Sequence, residues 1–211
     1  LAIQDTDKEN SQNYTFTIKD VCTFISNYRQ TPSPAAHNRL AEDLGISTDG
    51  LNTFRGKIKT ISRPTDLRSF HTRLLSGLLY GNRDLFNFGF LDHPACNWCG
   101  NLEQTNLHLL IHCPRVTLLR SSLPLNNYIS NNKQWLVGTD NDTITFLTLV
   151  LNKYLYRANF TFNQPSTEAF VGYLNSLKGL ELSIASKHPR TKQKCKLKWH
   201  SISQIIPLNP D

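Results

Sequence analysis

Residues 92–115 read DHPACNWCGNLEQTNLHLLIHCPR, and within them Cys96, Cys99, His108 and Cys113 form the string C-x2-C-x8-H-x4-C. Three thiolates and one imidazole fill the four positions of a tetrahedral zinc ion and leave none for a water. The spacing therefore predicts a structural Zn2+ site. The CxxC turn grips the ion from one side, and the second pair arrives from the helix that follows. His112 lies four residues after His108 and is an alternative fourth ligand. His108 is preferred, because His112 adjoins Cys113 and its ring would have to fold back to reach the same ion. Metal binding of this kind contributes about 10 kcal/mol or more to folding of the local unit. Retroviral nucleocapsid knuckles place four residues between the second Cys and the His; the eight here leave room for a loop at 100–105 and a helix start.

Working outward, the flanking sequence is punctuated into helices. Residues 18–29 and 35–44 read as two short ones, divided by Thr31-Pro32-Ser33-Pro34 and stopped at Gly45. Ser47 or Thr48 can cap a third, where Leu51, Phe54, Ile58 and Ile61 recur at helical spacing. Asp66 caps residues 67–80, striped by Leu67, Phe70, Leu74 and Leu78, and residues 83–90 follow. Thr105 is an N-cap for 106–112, and Pro114 marks a break. A polar stretch at 126–132 precedes two long helices at 143–159 and 166–187. The second carries Phe170, Tyr173, Leu177, Leu180 and Ile184, a stripe that is core or a docking seam, with core preferred. The fold class expected is mainly α, a helical domain with an embedded structural CCHC zinc knuckle. Its divisions are a flexible lead at 1–17, thumb-like or linker helices at 18–66, helices plus the zinc module at 67–125, a helical pair at 126–188 and a basic extended tail at 189–211.

The richest apolar run, 143–156, is cut by Asn152 and Lys153 and falls short of the roughly 20 residues of a membrane span, so no membrane contact is expected. Residues 1–13 are too polar for a secretory signal. The chain starts at Leu1 and contains no Met, which reads as a piece of something longer. Cys22 sits in an apolar pattern as a buried small residue, and Cys195 stands among lysines. All five cysteines fit a reducing, intracellular compartment, nucleus and cytoplasm.

The 211 residues carry a net charge of +7. Four acids lie among the first twenty residues, and beyond Asp142 only Glu168, Glu181 and Asp211 remain. A polyanionic partner suits such a body. One basic group comprises Arg55, Lys57, Lys59, Arg63, Arg68, Arg73 and Arg83; the other, Lys187, Arg190, Lys192, Lys194, Lys196 and Lys198. In an extended tail Lys192, Lys194, Lys196 and Lys198 would project from one edge about 6.6 Å apart, an interval that suits a phosphate backbone. Trp199 would anchor that strand to the core. No clustered carboxylates stand ready for two catalytic metals, and no Walker loop, GxSxG or HExxH occurs. The chain is not expected to be an enzyme on its own.

Residues 69–115, with Arg73-Leu74-Leu75, Asn82-Arg83-Asp84-Leu85-Phe86, Pro94-x-Cys96-x-x-Cys99 and His108-Leu109-x-x-x-Cys113-Pro114, resemble the zinc-binding region that follows the reverse transcriptase in LINE-type (non-long-terminal-repeat) retrotransposon proteins. The strong part covers 67–114 and a weaker part 40–200, including Ala41-Glu42-Asp43-Leu44-Gly45, Tyr154-Leu155-Tyr156-Arg157 and Trp199. The resemblance implies zinc ligands at Cys96, Cys99, His108 and Cys113. It also implies a role in target-primed reverse transcription, holding the 3′ end of the element RNA and the target DNA beside an upstream polymerase domain of the same polypeptide. The polymerase's catalytic aspartates have no counterpart here. The expected nucleic-acid contacts are Lys57, Lys59, Arg63, Arg68, Arg73, Arg83, Arg190, Lys192, Lys194, Lys196 and Lys198. The alternative function is a zinc-stabilised protein-docking module without direct nucleic-acid contact.

Overall fold

The structure, a computed structural model, describes residues 38, 40–42, 44–61, 65–100, 103–161, 163–187 and 189–208. The lead at 1–17 and the helix expected at 18–29 lie outside the described residues. Eight α-helices follow from Thr48 onward: α1 (Thr48–Ile61), α2 (Thr65–Leu75), α3 (Asn82–Asn87), α4 (Pro114–Ser122), α5 (Asn132–Val137), α6 (Asp142–Phe160), α7 (Thr167–Ala185) and α8 (Pro189–Ser203). A π-helix (His108–His112) precedes α4, and a 3-10 turn (Pro124–Tyr128) follows it. No strand occurs among the described residues. The fold is mainly helical, as the sequence indicates.

The core is organised around α6. Its sequence is apolar on nearly every side, and Ile144, Phe146, Leu147, Leu149, Val150, Leu151, Leu155 and Ala158 are all buried. A helix without a polar face must be surrounded, and α1, α2, α5, the π-helix, α7 and α8 all pack on it. Asn141 starts it as N-cap, its Oδ1 accepting from Thr143 N (2.9 Å) and Ile144 N (3.1 Å). Two buried polar side chains bond backbone carbonyls at the contacts of α6: Asn152 Nδ2 donates to Trp135 O at 2.8 Å, and His71 Nε2 donates to Leu149 O at 3.0 Å. Burial pushes the His71 pKa down to about 4, so its imidazole is neutral at pH 7.

Several boundaries depart from the sequence reading. α2 ends at Leu75 rather than residue 80, because Gly77 takes a left-handed φ of 65°. The chain there closes with Leu78 N donating to Arg73 O at 2.8 Å. Arg55 completes this end: Nη2 donates to Leu75 O at 3.0 Å and to Ser76 Oγ at 2.8 Å. α4 and α5 were not expected. Pro114 does come at a break, since Cys113 is extended (ψ 125°), and it is also the first residue of α4, a position where proline's fixed φ suits the helix. α5 lies just past a stretch read as polar and buries Trp135 and Leu136.

The largest correction concerns the tail. Residues 189–203 form α8, not an extended strand. Trp199, Ile202 and Ile206 are buried and Cys195 half-buried, at offsets of 4, 3 and 4, which is a helical stripe. Trp199 is the anchor expected of it: its ring meets Phe146 edge-on at 6.0 Å, and Nε1 donates to Glu181 Oε2 at 2.9 Å. The apolar stripe of α7 divides. Phe170 is buried and Tyr173 and Leu177 half-buried, whereas Leu180 and Ile184 are 58% and 63% exposed.

Candidate metal centre

Cys96, Cys99, His108 and Cys113 converge, with one ligand atom of each lying within 4.8 Å of all the others. The CxxC segment is a tight turn closed by Gly100 N donating to Cys96 O at 2.9 Å. It sets Cys96 and Cys99 side by side. Cys96 Sγ lies 3.9 Å from Cys113 Sγ, and Cys99 Sγ lies 3.2 Å from His108 Nε2. A sulfur pair at that separation is no disulfide, whose S–S bond is about 2.05 Å. It does match the roughly 3.8 Å edge of a tetrahedron with zinc–sulfur arms near 2.3 Å. Cys96, Cys113 and His108 are buried and Cys99 is half-buried. His112 is exposed, so the ambiguity between the two imidazoles resolves to His108.

The backbone explains how the second pair meets the first. In an α-helix, residues five apart stand about 140° apart around the axis, and His108 and Cys113 would diverge. Here Cys113 N donates to His108 O at 2.7 Å, the five-residue bond of a π-helix. The wider turn returns both side chains to one face. Thr105 caps the start, its Oγ1 accepting from His108 N at 2.9 Å.

Pro114 adds a second constraint. In an α-helix the carbonyl of Leu110 would take its hydrogen bond from residue 114, which has no N–H. Leu110 is wholly buried, so water cannot substitute. Arg120 supplies the donor through Nη2. Only 4% exposed, its guanidinium sits 4.5 Å from the Trp135 ring centroid, and burial lowers its pKa to about 9. It remains a cation at pH 7.

Cys96 and Cys113 are joined by a sulfur–sulfur hydrogen bond. The hydrogen bond from Cys113 holds Cys96 well below the ordinary thiol range, against the opposing effect of burial, with help from Gln104 and the backbone N–H groups of Trp98 and Cys99. The same bond and burial push Cys113 up. A cation held by the four atoms would replace that hydrogen bond and sit in a closed, four-coordinate cage. Such a cage orders chain segments; it offers no open position for substrate.

The close seating of α3 against the loop depends on Gly81. A Cβ at Gly81 would fall 2.3 Å from Gln104 O. Asn82, the next residue, donates through Nδ2 to Ala95 O (2.7 Å) and to Asn97 Oδ1 (3.2 Å), holding the segment that enters the CxxC turn.

The basic residues separate into anchored and exposed sets. Lys57 donates to Thr139 O at 2.7 Å and stands 3.9 Å from Asp140. Arg83 stands 3.6 Å from Glu103. Arg68 is half-buried on α2. The side chain of Lys59 and all of Arg63 lie outside the described residues. Arg73 is exposed on α2, and Arg190, Lys192, Lys194 and Lys196 are exposed on α8. Lys198 is not with them: its Nζ lies 2.7 Å from Glu181 Oε2 and 3.7 Å from the Phe146 ring centroid. The single edge of four lysines expected of an extended tail does not exist. Residues two apart in a helix diverge by about 200°, so Arg190 and Lys194 share one ridge while Lys192 and Lys196 share another.

The residues that sequence reasoning missed are Gln104, Arg120 and Asn159. Each is a polar side chain buried by partners remote in sequence, and no local pattern marks them. The chain matches no protein-family model, no curated protein and no solved structure.

Proposed function

We propose that the four converging side chains bind Zn2+, and that the chain is the nucleic-acid-binding segment beyond the polymerase in a LINE-type retrotransposon protein. The observation that carries this reading is the convergence of Cys96, Cys99, His108 and Cys113 within 4.8 Å, at positions that resemble that family's zinc ligands. Soft thiolate ligands with one imidazole suit zinc over hard cations such as Mg2+ or Ca2+. The zinc is structural and ties the CxxC turn to the π-helix and Cys113. The polyanion-facing surface is α8, where Arg190, Lys192, Lys194 and Lys196 form two exposed ridges and no acid occurs from residue 182 to 210. Along each ridge the cations repeat about every 6 Å, close to the interval expected of an extended strand. Arg73 extends the cationic set on α2. The partners proposed are the 3′ end of the element RNA, the target DNA and the upstream polymerase domain.

Binding of the purified chain to the 3′ end of its own transcript tests this. Log affinity should fall against log salt by about 0.7 to 0.9 per phosphate neutralised, and Lys194→Ala should reduce the slope by one such unit. Equal affinity at about 50 and 200 mM salt contradicts the reading.

A second reading has one observation in its favour. Leu180 and Ile184, on the outer half of the α7 stripe, are large apolar side chains left in solvent. They support a zinc-stabilised docking module. That reading prevails if the purified chain ignores RNA and DNA but is rescued from aggregation by the upstream polymerase polypeptide.

A further inference from the structure

We propose that Gln104 is a positioning residue of the metal centre: its side-chain amide donates a hydrogen bond to the Cys96 thiolate and ties that sulfur to the central helix α6 through Asn159. The inference rests on the reading of the four side chains as metal ligands.

Gln104 is wholly buried, and its amide has every hydrogen and both oxygen lone pairs engaged. Nε2 donates to Cys96 Sγ at 3.2 Å and to Asn159 Oδ1 at 2.9 Å. Oε1 accepts from Asn159 Nδ2 at 3.1 Å and from Asn82 N at 3.3 Å. The two amides thus form a reciprocal pair. Turning the Gln104 amide over would set its NH2 group against the N–H of Asn82 and its oxygen against a thiolate. The network, not chance, fixes which end meets the sulfur.

The main chain is pinned as well. Gln104 N donates to Pro94 O at 2.8 Å, and Gln104 O accepts from Arg83 N at 3.2 Å. Asn159, buried near the C-terminal end of α6, therefore reaches a candidate metal ligand through one intervening amide.

The chemistry needs glutamine here. Three thiolates and one imidazole around Zn2+ carry a net charge of −1, and an N–H directed at sulfur disperses part of it. Glutamate would keep the shape but face the thiolate with a carboxylate. Methionine would keep the volume and remove the donor. Outer partners of metal ligands typically change affinity 10- to 100-fold when lost.

The test uses the full chain, stripped of metal and titrated with Co2+, then with competing Zn2+. Wild type should take one Co2+ and show a sulfur-to-cobalt charge-transfer band. Gln104→Met should bind about 10- to 100-fold more weakly and move that band to lower energy, because the sulfur becomes more electron-rich. Gln104→Glu should bind more weakly still. A purely structural role would leave the band of the bound fraction unmoved. A measurement on the unmutated protein does not depend on the variants folding. With 113Cd at the site, the Gln104 Nε2–H proton should show scalar coupling to the metal through the N–H···S–Cd path.

An unshifted band with unchanged affinity in a folded variant, or no such coupling in the loaded wild type, overturns the role of Gln104 and leaves the metal reading intact. Failure of the wild type to take up Co2+ or Cd2+ at all overturns both.

Discussion

Between Pro94 and Cys113 the chain buries three of the four candidate ligands, an amide network and a π-turn, beside the apolar side chains of Trp98, Leu109, Leu110 and Ile111. From Asp142 to Ser203 it buries Phe146, Phe170, Trp199 and a file of leucines and isoleucines. The first region owes its shape to specific polar atoms meeting at one point. The second owes its shape to area removed from water, which is non-directional and tolerant of detail. The two meet on α6, whose Asn159 end serves the knuckle and whose Phe146 end serves the basic helix. A polar centre of this kind should fail at once when one component leaves, whereas the apolar stack should weaken by degrees.

Metal removal separates the two regions most sharply. A chelator, or Cys113→Ser, should release on the order of 10 kcal/mol of coupling free energy from the knuckle. In hydrogen exchange the amides of 94–113 should lose protection while the centre of α6 and α8 retain theirs. Uniform loss along the chain would erase the distinction.

Acid sharpens it from the other side. The His71 pKa lies near 4 when folded, below its ordinary 6.5, so the neutral imidazole contributes its full stability above pH 6.5 and loses it as the pH falls toward and through 4. The loss amounts to up to about 3 kcal/mol. His71→Gln keeps a donor for Leu149 O without a titrating group and should flatten the denaturant midpoint of the α2–α6 contact over that window. Cysteine protonation also weakens metal binding in acid, so the reporter amides belong in α6 near Leu149, away from the knuckle.

Arg120→Met preserves much of the volume but leaves Leu110 O without a donor. It should cost about 2 kcal/mol, and lower zinc affinity as the π-turn relaxes; competition titration against a chromophoric chelator reads the second effect. Smallest of all, Leu180→Ser should change the unfolding midpoint by less than about 0.5 kcal/mol, because that half of the α7 stripe is already in solvent.

What the sequence disclosed follows the same division. The four converging side chains and the long helices were legible because each is written in local spacing: the CxxC turn, the 3.6-residue stripe of α1, the apolar run of α6. The π-turn was not, since it arises from the demand that His108 and Cys113 share a face and from a proline that withholds a hydrogen bond. The alternating lysines of 192–198 imitated a strand with one cationic edge. The competing stripe of Cys195, Trp199, Ile202 and Ile206 was present in the same residues, and burial against α6 and α7 decided the contest in favour of helix. Likewise Lys57 and Lys198 looked free in sequence, and only the fold supplies Thr139 and Glu181 as their partners.

The most direct measurement is the metal content of the natively folded chain, by elemental analysis with a parallel sample carrying Cys113→Ser. One zinc per wild-type chain, and none retained by the variant, is the result expected of a closed Cys3His cage. Folded wild-type protein that carries no stoichiometric metal and takes none up from micromolar zinc would contradict it.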